Sequence, residues 1–503
     1  MSCLAGCKRI WLEMIKRRLP LLVVASLICL VLFQAFAYYD RLTLSLGPRV
    51  IMQPWLIQNG FVMYENIADL HSPLMPLILA WSRPLVTDGL LLAKLVLVFL
   101  IALSTILIFL AAQRLTGWLG GLWAAWFFFL LLPSFGFGKL WYETFLAPLY
   151  VLLLLNFKPS SSRRSFKSLL FLGFIGGIAL LIKQHSVVVV VSLLVWTALS
   201  NYFLSRSLSE NIRELALICL GIILPVVAFI AYQYIRASTL KGFFYWTISY
   251  SMTTEYKSLA AKWATINQIQ VVVMSIPLVI VAFFYLIGLN RRRDITWLYF
   301  GWGFILLAAS GLTIYPRFEY FHLQATIPVV VWLSVLALGH AWRTHGISRP
   351  FVLGMALGLS IFWLIRGGAA YLPVFNTFHN PQRIAEYSHL EPLAIDLSQY
   401  IGPSDSIYVF PDDEATANLY YLMRHLPPGF WIFSYPWNMS DSIKSRVLST
   451  LRKESPEWIV YLPGRWKINH YAPEIVTFIQ AHYRKAAKLN WAGGRILLLR
   501  HLE

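Results

Sequence analysis

Long apolar runs fill most of this chain and leave it few ways to fold. A run of about 20 apolar residues is enough to cross a bilayer. Such runs fall near 21–38, 88–113, 117–135, 138–157, 168–185, 186–204, 215–235, 269–289, 295–313, 322–341 and 350–368. Inside lipid each backbone polar group must be satisfied within its own segment, so these runs are expected to be helices. The composition agrees, with 503 residues that are 58% hydrophobic and 13% charged. The expected fold class is mostly α: a polytopic transmembrane helical domain of about eleven spans.

The charge distribution orients the spans. The net charge is +19, but this does not point to nucleic acid. The basic residues gather in short connections, as membrane orientation requires. Lys8, Arg9, Lys16, Arg17 and Arg18 precede the first span. Lys158 to Lys167, Arg291-Arg292-Arg293, and Arg343 with Arg349 mark three later connections. All fall on one side of the bilayer, which is therefore read as cytoplasmic, with the N-terminus in and the C-terminus out. Pro73 to Pro84 cannot then be a full span, because it would invert every later loop. A short re-entrant or surface-lying helix is expected there. The outer side receives the loop 39–87, the loop 236–268, the connections at Lys183 and at Tyr315 to Phe321, and everything after about 369.

The chain changes character in its last part. Residues 1–369 read as the membrane domain and 370–503 as a small extracytoplasmic α/β domain. Strands are expected at Ser406 to Phe410, Trp431 to Ser434, Trp458 to Leu462 and Arg495 to Leu499. Helices are expected at Ala415 to His425, Asp441 to Lys453 and Pro473 to Lys485. None of the four cysteines falls in this region, so no disulfide framework is expected there. There is no phosphate-cradling glycine loop and no metal-ligand spacing. The missing P-loop argues against an ATP-driven pump.

The outer face collects residues that a plain helical bundle does not need. Asp40 ends the first span. Arg49, Tyr64, Glu65 and His71 lie in the first outer loop, and Glu143 opens the span near 138–157. Lys183 sits between two spans. Tyr315, Arg317 and His322 join two more, and Arg366 closes the last. Charges at membrane depth are costly and tend to face a cavity, a partner or a path. For Lys183 and Arg366 the alternative is to snorkel to the headgroups. Moving a sugar off a lipid phosphate needs a base for the acceptor hydroxyl, which an aspartate can be. It also needs cations for the growing phosphate charge. Asp40 fits the first role, and Lys183, Arg317 and Arg49 the second. Tyr64, His71, Glu143, Tyr315, His322 and Arg366 share the same face and are read as substrate-binding. A divalent metal between Asp40 and Glu65 is compatible with the sequence, and nothing requires one.

Several of these pieces occur in an order that resembles the GT-C membrane glycosyltransferases, in particular a family 39-like branch related to protein O-mannosyltransferases and aminoarabinose transferases. The resemblance runs from Asp40 through Gly60, Tyr64 and His71-Ser72-Pro73-Leu74. It continues through Gly173 to Lys183 and Tyr315-Pro316-Arg317, and into the tail at Ile407 to Pro411 and Pro456 to Tyr461. It implies a polyprenyl-phosphate monosaccharide donor and a lipid, glycan or protein acceptor. It also implies an inverting transfer on the outer face of the cytoplasmic (inner) membrane, with Asp40 as catalytic base. Relatives carry a second acid beside that aspartate, where this chain has Arg41. Glu65 or Glu143 is left to supply a second carboxylate. The alternative reading is a transporter or flippase of a lipid-linked substrate, in which no covalent bond changes. Transporters often show internal repeats and broken midplane helices, and neither stands out here.

Overall fold

The computed structural model describes residues 2–42, 45–136, 138–157, 164–253, 257, 296–313, 319–343, 349–375, 390–412, 416–491 and 494–502. The apolar runs within these residues are helices. The long helix α1 (Ser2–Phe36) ends in a π-helical turn, Ala37–Arg41. Two short helices follow, α2 (Pro48–Gln58) and α3 (Leu74–Ser82). The expected short helix after Pro73 is α3. Its nine residues reach only about 13 Å at 1.5 Å per residue, too little to cross a bilayer. The bundle continues with α4 (Gly89–Thr116), α5 (Trp118–Leu131), α6 (Tyr142–Asn156), α7 (Phe166–Ile182), α8 (Val187–Phe203) and α9 (Leu208–Ala237). It ends with α10 (Thr296–Leu312), α11 (Ile327–Arg343) and α12 (Arg349–Gly368).

Among the described residues six helical stretches are long and apolar enough to cross a membrane, and α6, α7, α10 and α11 are shorter apolar helices. Together they match every expected span except 269–289, which lies outside the described residues. Local chemistry sets several helix starts. Asp88 accepts backbone N–H bonds from Leu90 and Leu91 at the head of α4, and Ser165 and Ser207 cap α7 and α9. Each cap satisfies a backbone donor that the helix itself leaves unpaired.

Small residues let helices approach closely where the lipid offers no hydrophobic drive. Gly173 and Gly177 of α7 face Gly221 and its neighbours on α9. A Cβ on Gly173 would lie 2.1 Å from the Ile218 carbonyl oxygen, and one on Gly221 would lie 2.3 Å from that of Leu170. The crossing therefore excludes side chains at both positions.

A two-residue parallel pair ties the start of the chain to its middle. β1 (Ser45–Leu46) pairs with β2 (Lys139–Leu140), Ser45 opposite Lys139. It sets the head of α2 beside the head of α6, which matters for the site below.

The C-terminal sheet domain contains helices α13 (Leu390–Leu397), α14 (Asn418–Met423), α15 (Asp441–Glu454) and α16 (Pro473–His482). Its strands are β3 (Ile407–Phe410), β4 (Trp458–Tyr461), β5 (Tyr483–Trp491) and β6 (Gly494–His501). Their spatial order is β3-β4-β6-β5, with β3 and β4 parallel and the other pairs antiparallel. Two expectations need correction. The α16 helix stops at His482 and the chain enters β5, an edge strand whose exposed Arg484, Lys485 and Lys488 hide its strand pattern. Such charges are a common guard on sheet edges. Trp431 to Ser434 is not a strand of this sheet. Its backbone forms one isolated parallel bridge to Ile67, and beyond it the Ser434 N–H donates to Asp412 while the Phe433 and Ser434 carbonyls accept from the Asn438 and Tyr471 side chains.

Asp412 is fully enclosed in this domain. It accepts hydrogen bonds from the Trp431 indole N–H (2.6 Å), the Ser434 backbone N–H (3.0 Å) and the Ser434 hydroxyl. Burial nevertheless wins, and its carboxyl is pushed up to about 8. The ordinary aspartate value is about 3.9. Between the two the folded chain keeps a proton that the unfolded chain has lost, so stability falls as pH rises through that window. Thermal unfolding of the detergent-solubilised protein at pH 5, 6.5 and 8 should show this slope in the wild type and a flatter one in Asp412→Asn. Parallel pH profiles would contradict it.

Candidate functional site

Two buried carboxylates organise one end of the helical bundle. The first is Asp69, in the segment between α2 and α3. Its Oδ2 accepts from Arg49 Nε (3.0 Å), Gln53 Nε2 (2.6 Å) and the Tyr142 hydroxyl (3.5 Å). Its Oδ1 accepts from the His71 backbone N–H (3.0 Å) and from His71 Nδ1 (2.9 Å). Arg49 and Gln53 stand four residues apart on α2, which puts them on one helix face. Tyr142 opens α6, brought alongside by the β1–β2 pair.

The loop around Asp69 is shaped to present it. Tyr64 adopts a left-handed φ of 69°, and its hydroxyl donates to the His71 carbonyl (2.7 Å). The His71 ring lies flat on Tyr142, with centroids 4.4 Å apart and planes 9° apart. Gln184, at the head of the turn between α7 and α8, accepts from Ser72 N (3.1 Å) and donates to the Leu70 carbonyl (2.5 Å). Loop and bundle are thus stitched on both sides of His71.

Electrostatics fix the proton positions. Burial would raise the Asp69 pKa, but Arg49 and then His71 outweigh it and hold the carboxyl well below the usual range. Burial and the Arg49 guanidinium together push His71 down to about 4, against the pull of Asp69. His71 is therefore neutral at neutral pH. Its Nδ1 faces an acceptor-only carboxylate and must carry the proton, which leaves Nε2 with a lone pair. This is an orienting acid–imidazole pair of the kind that handles protons in enzymes.

The second carboxylate is Glu143, in the first turn of α6. Its Oε1 accepts from Lys183 Nζ, at the end of α7, and from His322 Nδ1 (2.6 Å), just before α11. Glu143 and Lys183 are almost wholly enclosed. Three helices are therefore tied through one oxygen atom. Its other oxygen, Oε2, is buried with no hydrogen-bond partner among the described residues, as are Gln53 Oε1 and Trp141 Nε1. Buried polar atoms in this state call for a water or a ligand group. His185 follows Lys183 and Gln184 in the same turn, and its Nδ1 is likewise buried with no hydrogen-bond partner among the described residues.

The structure thus brings together Arg49, Tyr64, His71, Glu143, Lys183 and His322 from the expected set. It places three others apart. Asp40 lies in the π-helical turn after α1, half-exposed, and pairs with Arg41 (3.3 Å). No hydrogen bond or ion pair among the described residues joins it to the buried cluster. Glu65 sits on the loop turn, where its carbonyl accepts from Arg446 of the C-terminal domain (2.9 Å). Arg366 is exposed in the last turn of α12. Tyr315 and Arg317 lie outside the described residues. Among the described residues no group of three His, Cys, Asp or Glu side chains is arranged to hold a metal ion.

Sequence reasoning missed Asp69, Gln53 and Tyr142. A signal for Asp69 was present, because Asp69-Leu70-His71 has the two-residue spacing at which an Asp side chain caps a later backbone N–H. Gln53 and Tyr142 carry no such mark.

No protein-family model matches the chain, and no curated protein does. Solved structures do. ArnT from Cupriavidus metallidurans bound to undecaprenyl phosphate is 14% identical, with a TM-score of 0.59 over 95% of this chain and 97% of that one. Its apo form gives 0.60 over the same shares. The archaeal oligosaccharyltransferase AglB from Archaeoglobus fulgidus, in complex with an inhibitory peptide and a dolichol-phosphate, is 11% identical. It gives a TM-score of 0.54 over 96% of this chain and 74% of that one. At such identities the likeness is one of fold. The chain shares the overall fold of these two solved proteins along nearly its whole length.

Asp69 is the hub of the cluster, so removing its charge should be costly. Asp69→Asn leaves the buried Arg49 without its carboxylate and should destabilise the protein by about 3–5 kcal/mol. Unfolding measured in detergent checks this, and a change under about 0.5 kcal/mol, the scale of an ordinary surface substitution, would contradict it.

Proposed function

We propose that the chain is an integral-membrane glycosyltransferase. It moves a monosaccharide from a polyprenyl-phosphate donor to an acceptor hydroxyl, with inversion, on the outer face of the cytoplasmic membrane. The observation that carries this reading is the buried Arg49–Asp69–His71 and Lys183–Glu143–His322 cluster at one end of a GT-C bundle. The fold supports it, since ArnT is seen with undecaprenyl phosphate and AglB with a dolichol-phosphate.

The chemistry divides between two groups of residues. The acceptor oxygen attacks the anomeric carbon as the bond from that carbon to the phosphate oxygen breaks. The electron pair leaves on the polyprenyl phosphate. Lys183 has three N–H donors, and its bond to Glu143 engages one. The others, with Arg49, meet the phosphate charge as it grows in a site shielded from water. The acceptor proton goes to a carboxylate. Asp40 suits this role, being half-exposed and bound only to its neighbour Arg41 among the described residues. Its π-helical setting is common at functional positions. Glu65 is the second acid on the acceptor side, and Tyr64, Glu143 and His322 shape the donor pocket. Tyr315, Arg317 and Arg366 are assigned to substrate binding on the strength of their place in the sequence.

The His71 pair with Asp69 offers a second base, since Nε2 keeps its lone pair. One experiment separates the two. Membranes containing wild type, Asp40→Asn or His71→Gln at matched expression are given a panel of labelled polyprenyl-phosphate sugars and scored for new glycosidic bonds. Wild type should transfer, and Asp40→Asn should lose at least about a hundredfold, the scale of a missing general base. Transfer kept in Asp40→Asn but lost in His71→Gln would move the base to His71. Movement of donor across the membrane without a new glycosidic bond would overturn the transferase reading in favour of transport.

A further inference from the structure

The C-terminal domain reaches into the cluster through one short segment. The Trp431 backbone is clamped on both sides to the first loop. Its N–H donates to the Asn66 carbonyl (2.7 Å), and its carbonyl accepts from Ala68 N (2.9 Å). These bonds bracket Ile67 and end one residue before Asp69. On the other side the segment hangs from Asp412, which holds the Trp431 indole N–H and the Ser434 backbone N–H. Between those anchors lies Phe433, which is 1% exposed.

The Phe433 ring centroid is 4.7 Å from the Arg49 guanidinium carbon. The Trp141 ring lies 5.2 Å from the same carbon. Arg49 is therefore in cation–π range of two aromatic rings, one from the membrane domain and one from the C-terminal domain. Its Nε is bonded to Asp69. The two rings and the carboxylate together fix the plane of the guanidinium, and the second ring is absent unless the C-terminal domain is docked.

We propose that the C-terminal domain completes the active site, with Phe433 as a positioning residue that holds Arg49 for the anionic phosphate of a lipid-linked substrate. This rests on the transferase reading above. A domain that served only as a stabilising cap would need bulk at position 433, which leucine supplies. A domain that positions Arg49 needs an electron-rich ring face, which leucine lacks.

The test measures binding of a polyprenyl phosphate to the full-length protein in detergent, without turnover, alongside donor KM and kcat. Phe433→Leu should weaken lipid-phosphate binding and raise donor KM about tenfold, between the values of an exposed and a desolvated cation–π contact, with little change in kcat. Phe433→Trp should bind nearly as wild type. If Phe433→Leu fails to fold, a ring-fluorinated phenylalanine at 433 keeps the shape and weakens only the ring face, and it should show the same loss in smaller degree. The loss should vanish in an Arg49→Gln background, which leaves no cation for the ring face to hold. Wild-type affinity in Phe433→Leu and in the fluorinated protein, or an equal loss with and without Arg49, would overturn the proposal. A wild type that binds no polyprenyl phosphate would instead overturn the transferase reading itself.

Discussion

A buried aspartate bound to an arginine sets the terms for the rest of this structure. Asp69 is enclosed, yet it keeps its charge because five donor contacts converge on its two oxygens. An enclosed carboxylate with fewer partners would take up a proton instead, as Asp412 does with three side-chain hydrogen bonds and no cation among the described residues. The cost of burying the Asp69 charge is offset only if α2, the 64–71 loop and the head of α6 arrive together. That requirement explains several features that look unrelated. The two-residue pair β1–β2 aligns the helix heads, and Gly47 leaves room for the Trp141 ring 3.1 Å from where its Cβ would be. Tyr64 accepts a left-handed backbone so that its hydroxyl can hold the loop at His71.

Glu143 repeats the arrangement one residue beyond Tyr142. Both sites join a carboxylate, a cation and an imidazole, and together they tie α2, α6, α7, the entry to α11 and the first loop. Buried ion pairs of this kind are poor stabilisers, since replacing both partners with apolar groups often costs little. In the proposed reading they serve to meet the anionic phosphate of the donor. They lie at one end of the bundle, where the C-terminal domain contributes Phe433 to the same cluster.

The helices were easy to read because lipid imposes length and apolarity together, and both are visible in a sequence. The short helix after Pro73 followed from counting basic clusters. The cluster itself was half legible. His71, Glu143, Lys183 and His322 stand out as polar residues at the ends of apolar runs. Asp40 and Glu65 stand out because they sit near obvious span ends, whereas Asp69 lies within a loop with no such mark of position. No one-dimensional pattern places residue 69 against residues 49, 53 and 142, because that contact is made by a loop fold and a two-residue strand pair. Phe433 was hidden for the same reason, as one aromatic among many in a segment that reads as a core strand. The edge strand β5 was lost to its lysines and arginine.

The most direct test is to locate a polyprenyl phosphate bound to the full-length protein by electron cryo-microscopy in lipid nanodiscs. The account predicts the phosphate within hydrogen-bonding reach of Lys183 or Arg49, beside His71 and beneath the Phe433 segment. A phosphate bound instead elsewhere on the bundle, such as beside the buried Arg164–Glu214–Arg206 group, would contradict it.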